Sequence, residues 1–559
     1  IHSFPTRRSS DLSNSFDYNR LSFTASEADL RIKNEDGDAL IVEANDYNTF
    51  VDFASKSTTL DALGPNSQVN FHPNRFRSNG YDIAWDMENR HLRMENLRHD
   101  EIAALGSLTP KEWIDMDFGA HGLVSTNPQQ EGLNLFAGTI DYDLDENIIH
   151  AQDVKIIEIA DAAIFPTNEE VFLEPTGALR RLENSLIVAN TETLLHQFHN
   201  ASISIISQNR FTGTGTYDFT NYRGDIQQVY FESISVDRNT NSTVAIAKIG
   251  KENEFTISPY FRYFGELNLR VENPNFLYDG AAQIVVDCGL YPNWFRFTSE
   301  LYLDSIYIPI IDDLRNEEGG RVSSALMLAG DTVRIYPAFL GRQTHHSDLA
   351  IISAMGLLTF DKSANEYVIT TPERFADSTL AHDIIRLNPS TCMLIGEGKI
   401  ALSSGLGQFG VNTSGKVSHD IVNKNTTLDV VMGINFHFAN HPSDHLKKAF
   451  QTRTDLDTLS LDSLKVATYL QQKAGRETTL RIMSALTPDG TFSRIPEELN
   501  HRLFLADLRL RWDQDRKTFH STHPIGIGNI ENAPIFRYTP GFLEIDRKST
   551  RLNSSHGII

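Results

Sequence analysis

Three histidines, His437, His441 and His445, recur at intervals of four, with Asp444 beside the last. On one continuous helix that spacing lines a single face, and imidazole nitrogens so placed bind zinc. Residues 429–437 alternate like a strand, however, and Pro442 interrupts any helix through the triplet. The three are expected to span a strand end, a loop and a helix start, and to form no metal site. Asp141, Asp143 and Asp145 open like a calcium loop, which needs Gly at its sixth position and Glu at its twelfth. Glu146 and Gln152 stand there instead, so an acidic hairpin tip is expected. Gly213 and Gly215 begin a dinucleotide fingerprint, but Asp218 takes the place of its third glycine. Glycines inside a strand mark a bulge or a close backbone approach. The pairs His345/His346 and His520/His523 are weaker metal candidates still. No Gly-x-Ser-x-Gly, phosphate-loop or His-Glu-x-x-His pattern occurs. No catalytic, cofactor-binding or metal-ligating residue is expected, and no cofactor.

The remaining reactive side chains are Cys288 and Cys392, the only cysteines. Two make neither a disulfide framework nor a thiolate metal site. An oxidising compartment would allow them to pair, but separate buried thiols are the favoured expectation.

Both ends read as foreign to the fold. Residues 2–12 look like one reading frame of a sequencing-library adapter, and residues 546–556 look like a frame of the opposite one. Segments 1–12 and 546–559 are accordingly expected to be unstructured, with 13–545 an internal piece of a longer gene. The first block carries net +1 (Arg7 and Arg8 against Asp11), and the second net +2 (Arg547, Lys548 and Arg551 against Asp546). Without them the formal charge of −23 becomes −26. Such a surface repels phosphate backbones and anionic headgroups, which argues against a nucleic-acid partner. An apolar fraction of 40% supports a real core, and an aromatic fraction of 10% argues against disorder.

Any such chemistry would have to be positioned by strands. Phe295, Phe297, Leu301 and Leu303 share one parity, and residues 229–236 and 265–271 alternate as well. Period two means a half-buried strand with one wet face. Turn residues separate these runs at 35–37, 79–80, 279–280 and 487–490. A faint echo, Asp/Asn–small–any–Ile, starts at Asp161, Asn184 and Asn200. Stacked layers of an elongated sheet would repeat it, and so would a meander with similar turns. Near residue 441 the texture changes to helical spacing: Leu461, Leu464, Ala467 and Leu470, then Leu480, Met483 and Leu486, with Gly475 as a stop between. Strands return at 503–512, 524–530 and 541–545. The expected fold is mainly β, as elongated or serial antiparallel sheets of solenoid, taco or sandwich type, with a small helical insertion near 443–500. The expected divisions are a repetitive β region at 13–340, a further β region at 341–440, the helical insertion at 441–500 and a terminal β segment at 501–545.

Residues 154–164, 184–188, 255–261, 306–309 and 525–528 resemble a family of very long, strand-rich bacterial proteins of uncharacterised function. The same texture is similar to open β-taco envelope proteins that carry lipids between membranes. The resemblance is one of style over most of 20–340 and transfers no functional residue. It implies a large periplasmic, outer-membrane-associated or secreted protein with a scaffold, adhesive or lipid-conduit role and no catalysis. Lipid or other envelope components are the expected partners. Two other classes compete: a carbohydrate-active enzyme on a β-solenoid, and part of an outer-membrane barrel. The enzyme requires two carboxylates facing each other in an aromatic-lined groove, and the barrel an outward apolar band.

Overall fold

The computed structural model describes residues 2–5, 9–13, 15–34, 36–118, 122–221, 223–302, 305–402, 409–436 and 440–546. It is mainly β, built of antiparallel sheets with a few short helices. The chain divides into two compact units, 1–253 with 265–278, and 254–264 with 279–559. The division expected near 340 is absent because strands Val322–Leu328, Ile335–Arg342 and Leu349–Ser353 on either side of it pair in one small sheet. The helices at 441–500 likewise belong to the second unit, since short helices gain stability only by burying a stripe on something larger.

In the first unit, Gln68–Phe71 and Thr139–Asp143 lie in one sheet with four strands between them. Their Phe71 and Tyr142 rings are nevertheless 4.9 Å apart. The sheet therefore curls over its own buried face. Buried hydroxyls hold the curl: Tyr47 Oη donates to Tyr81 O (3.0 Å), and Tyr81 Oη to Ala137 O (2.7 Å). The wet face is charged. Tyr81–Asp86 buries Tyr81, Ile83 and Trp85 while exposing Asp82 and Asp86, and its neighbour His91–Asn96 exposes Arg93 and Glu95.

The second sheet of this unit explains the sequence echo. Ile164 pairs directly with Ile187, and Leu182 with Ile203. All three isoleucines are fully buried. Consecutive strands of one antiparallel sheet are a meander, so the layered alternative falls. What repeats is a kink, for Asn184 (φ 53°) and Asn200 (φ 49°) are left-handed residues at register shifts. Asn tolerates that region better than most side chains. The expected bulge at Gly213 and Gly215 is also present, opposite Ile234 and Phe231. It leaves Glu232 and Ser233 both exposed and returns Ile234 to the face of Phe231. A Cβ on Gly215 would come within 3.2 Å of Phe198 Cβ.

Residues 279–280 are not a turn but lie inside strand Phe276–Ile284, where the Asp279 carboxylate accepts from Thr298 Oγ1 (2.8 Å). Residues 1–12 were expected to carry no fold, yet the backbones of His2–Pro5 and Ser9–Ser13 form strands, and Ser9–Leu12 pairs with Asp29–Ile32. An open strand edge offers the same row of N–H and C=O groups to any extended segment, whatever its side chains. Most of the second such segment, 547–559, lies outside the described residues.

In the second unit the main sheet includes Ile384–Asn388, Met393–Lys399, Phe409–Asp420, Asn425–Phe436 and Leu503–Asp513 in that order. Helices Asn440–Thr452, Ser463–Ala474 and Arg476–Met483 form the insertion, with Gly475 (φ 80°) separating the last two as expected. The docking stripe differs from the expected one. Leu461 and Leu470 are buried and Leu486 is packed against the core, but Leu464 and Leu480 are 73% and 63% exposed. Asp462 caps the helix, so Leu461 precedes it and a period counted from Leu461 is out of phase. Val466, Tyr469, Leu470 and Ile482 supply the buried face, against Val431, Phe504 and Ala506. Cys288 and Cys392 are disulfide-bonded, not separate thiols as expected. The bond joins the segment after Phe276–Ile284 to the turn before Met393–Lys399, a proximity that a sequence separation of 104 hides.

Candidate functional site

One concavity of the second unit arises from hairpin register. Ile384 pairs with Glu397, which places Asp383 beside Gly398 and Lys399. Gly398 (φ 145°) is needed here, because a Cβ would stand 2.0 Å from Asp383 Oδ1. That oxygen accepts the Lys399 backbone N–H (2.8 Å). The C-terminal end of helix Ser463–Ala474 then closes the other wall. The Gln471 Oε1 atom accepts from Ala381 N (2.9 Å), and the two glutamine amides donate to Thr379 O and Ala381 O. Arg476 pairs with Asp377 at 2.9 Å. Beneath, Arg374 donates to Leu380 O and shares Glu397 with Arg386. The loop 377–383 is thereby strapped to helix and sheet.

The resulting cleft measures about 490 Å³, within the range of small-molecule sites. His382, Asp383, Lys399 and Arg476 bring charge or titratable groups to it. Burial pushes the Asp383 carboxyl above its ordinary value, although the Lys399 amide and the charges of Lys399, His382 and Arg374 pull the other way. Burial also lowers Arg374, against the attraction of Glu397. Asp383 is the one acid among the described lining residues, and none of these is Phe, Tyr or Trp. The opposed carboxylates in an aromatic groove that sugar hydrolysis requires are not assembled here. A larger depression of about 570 Å³ surrounds residues 313–319, but Asn316 there is spent on capping its own turn and Arg315 on Asp313.

The sequence candidates do not converge on this cleft. Helix Asn440–Thr452 begins before His441 and includes Pro442 in its first turn, where proline is tolerated. His441 and His445 thus share one helix instead of straddling a loop. His445 is exposed, and His437 lies outside the described residues. The acidic tip at 141–147 is a hairpin turn, its Asp143 accepting from Asp145 N and Glu146 N (2.8 and 2.9 Å). His345 stacks near His346 and bonds Ser347 Oγ, while His523 bonds Thr522 Oγ1. One metal-capable cluster was missed: donor atoms of Glu95, His99 and Asp100 lie within 4.8 Å of one another. Two of the three are exposed carboxylate residues, which water satisfies as well as an ion does. Asp383 and Lys399 were missed too, because 16 residues separate them and only hairpin register brings them together.

A polar cluster is built on buried His501 and Tyr469, with exposed Lys473 and Asn435 at its edge. His501 Nε2 lies 2.7 Å from Tyr469 Oη and 3.3 Å from Lys473 Nζ, and its Nδ1 faces Asn435 Nδ2 at 3.1 Å. Burial, reinforced by Lys473, lowers His501 to about 4. Burial likewise lowers His419 to about 4. His501 is thus a structural member of the helix–sheet contact, whereas His419 lies 2.9 Å from Thr426 Oγ1 within its own hairpin. No protein-family model matches the chain, and a search of curated proteins finds no match.

Proposed function

We propose that this protein is a non-catalytic, extracytoplasmic β scaffold of a bacterial cell envelope or secreted assembly. The observation that carries this reading is that the curled sheets are filled by their own side chains. In the first unit Phe198, Phe211 and Phe231 are fully buried, and Phe276 lies 5.4 Å from Tyr217 although three strands intervene along the sheet. A lipid conduit needs that face open to acyl chains, so self-filling favours the scaffold form of the role. The charged outer positions Asp82, Asp86, Arg93 and Glu95 favour water over lipid outside the sheet, the reverse of a membrane barrel. No helix of the described residues is long and apolar enough to cross a membrane. The Cys288–Cys392 bond supports an oxidising compartment.

Native mass spectrometry of the full chain after periplasmic expression tests the reading. The expected result is the bare polypeptide mass with one disulfide. Stoichiometric co-purifying phospholipid would make it a conduit, and glycan cleavage lost in Asp383→Asn would make it an enzyme.

A further inference from the structure

We infer that the cleft at Asp383 and Lys399 binds a carboxylate-bearing, hydroxyl-rich small molecule of the acidic-sugar class. This goes beyond the scaffold reading and does not depend on it. The walls are preset: Gln471, Gln472 and Arg476 are already committed to the loop at 377–381, so the cleft does not have to organise itself on binding. By contrast, the side chains of Lys399 and His382 line the same space with no side-chain hydrogen bond among the described residues, while both feel the Asp383 carboxylate and His382 that of Glu373 as well. In a chain of formal charge −23, the Lys399 ammonium and the His382 imidazole bring two donors to a cleft whose one carboxylate among the described lining residues, Asp383, lies in the field of both. A single carboxylate placed between them gains charge-assisted hydrogen bonds that the acidic surroundings deny it elsewhere.

Asp383 narrows the class further. Its Oδ1 is occupied by the Lys399 amide, and its other oxygen is an acceptor that rewards hydroxyl donors. The same carboxylate repels a dianion, so a phosphate fits the cleft less well than a monoanionic sugar acid. The cleft volume of about 490 Å³ suits one or two sugar rings.

Isothermal titration of the full chain at low salt, with sodium glucuronate, glucose and inorganic phosphate as probes, tests this assignment. Glucuronate is expected to bind at least about tenfold more tightly than either other probe. Lys399→Ala should weaken glucuronate by about tenfold or more, and Asp383→Asn should narrow the preference for glucuronate over phosphate. Lys399 is exposed, so its variant reports on binding even if the Asp383 variant folds poorly. Equal affinity for glucose, unchanged affinity in Lys399→Ala, or no binding of any probe would each overturn the assignment. The scaffold reading, tested by mass, would survive all three.

Discussion

Single side chains in this protein are decided by which face they reach, and hydrophobicity alone does not say which. Leu464 and Leu470 are the same residue type on one helix, yet the first is 73% exposed and the second fully buried. Leu470→Ala should therefore cost about 2–5 kcal/mol, the usual range for emptying a core site. Leu464→Asp should stay within about 0.5 kcal/mol of the parent. Equal urea midpoints for the two variants would refute this placement. The left-handed asparagines give a second contrast. Asn200→Gly should be close to neutral, whereas Asn200→Val should cost about 1–2 kcal/mol, because a β-branched side chain crowds the backbone at φ 49°.

At the scale of elements, the helical insertion is held to its sheet by an apolar stripe and by neutral His501. Its imidazole, like that of His419, would take up a proton near its ordinary value of 6.5 once unfolded, but only near 4 while folded. The unfolded chain thus binds more protons between those two values. The stabilisation is complete above about pH 6.5 and is lost as pH falls toward 4, on the order of 3 kcal/mol for each histidine. Urea midpoints at pH 7.5 and 4.5 for the parent and His501→Asn should show a smaller acid loss in the variant. An equal loss would remove His501 from the cause. The meander echo belongs to this scale as well. Asn184 and Asn200 were visible in sequence as a recurring pattern, but a kink in a sheet and a turn between layers leave the same trace.

For the whole molecule, the Cys288–Cys392 bond is the widest covalent constraint. It closes a loop of 104 residues, for which replacing both cysteines by serine should cost roughly 2–5 kcal/mol. A comparison of denaturant midpoints for the parent and the double variant reads this directly. No change would mean that the two sulfurs are not bonded in solution. Both cysteines fall in the second unit, so the loss should appear in its transition.

Alternation at 229–236, 265–271 and 295–303 determined the mainly antiparallel β class, because only a sheet with one wet face rewards period two. Gly475, the glycines at 213 and 215 and the acidic tip at 141–147 were legible for a similar reason: their conformations depend on neighbours a few residues away. The rest depended on contacts between residues far apart in sequence. Whether a sheet curls until Phe71 meets Tyr142, whether Leu464 faces water, and whether Cys288 reaches Cys392 are settled by packing that no local pattern encodes. The cleft follows the same logic. Asp383 and Lys399 are ordinary surface letters until hairpin register sets one amide on the other's carboxylate and a distant helix closes the wall. Local rules chose the strands; only their assembly placed Lys399 and His382 in one cleft with Asp383.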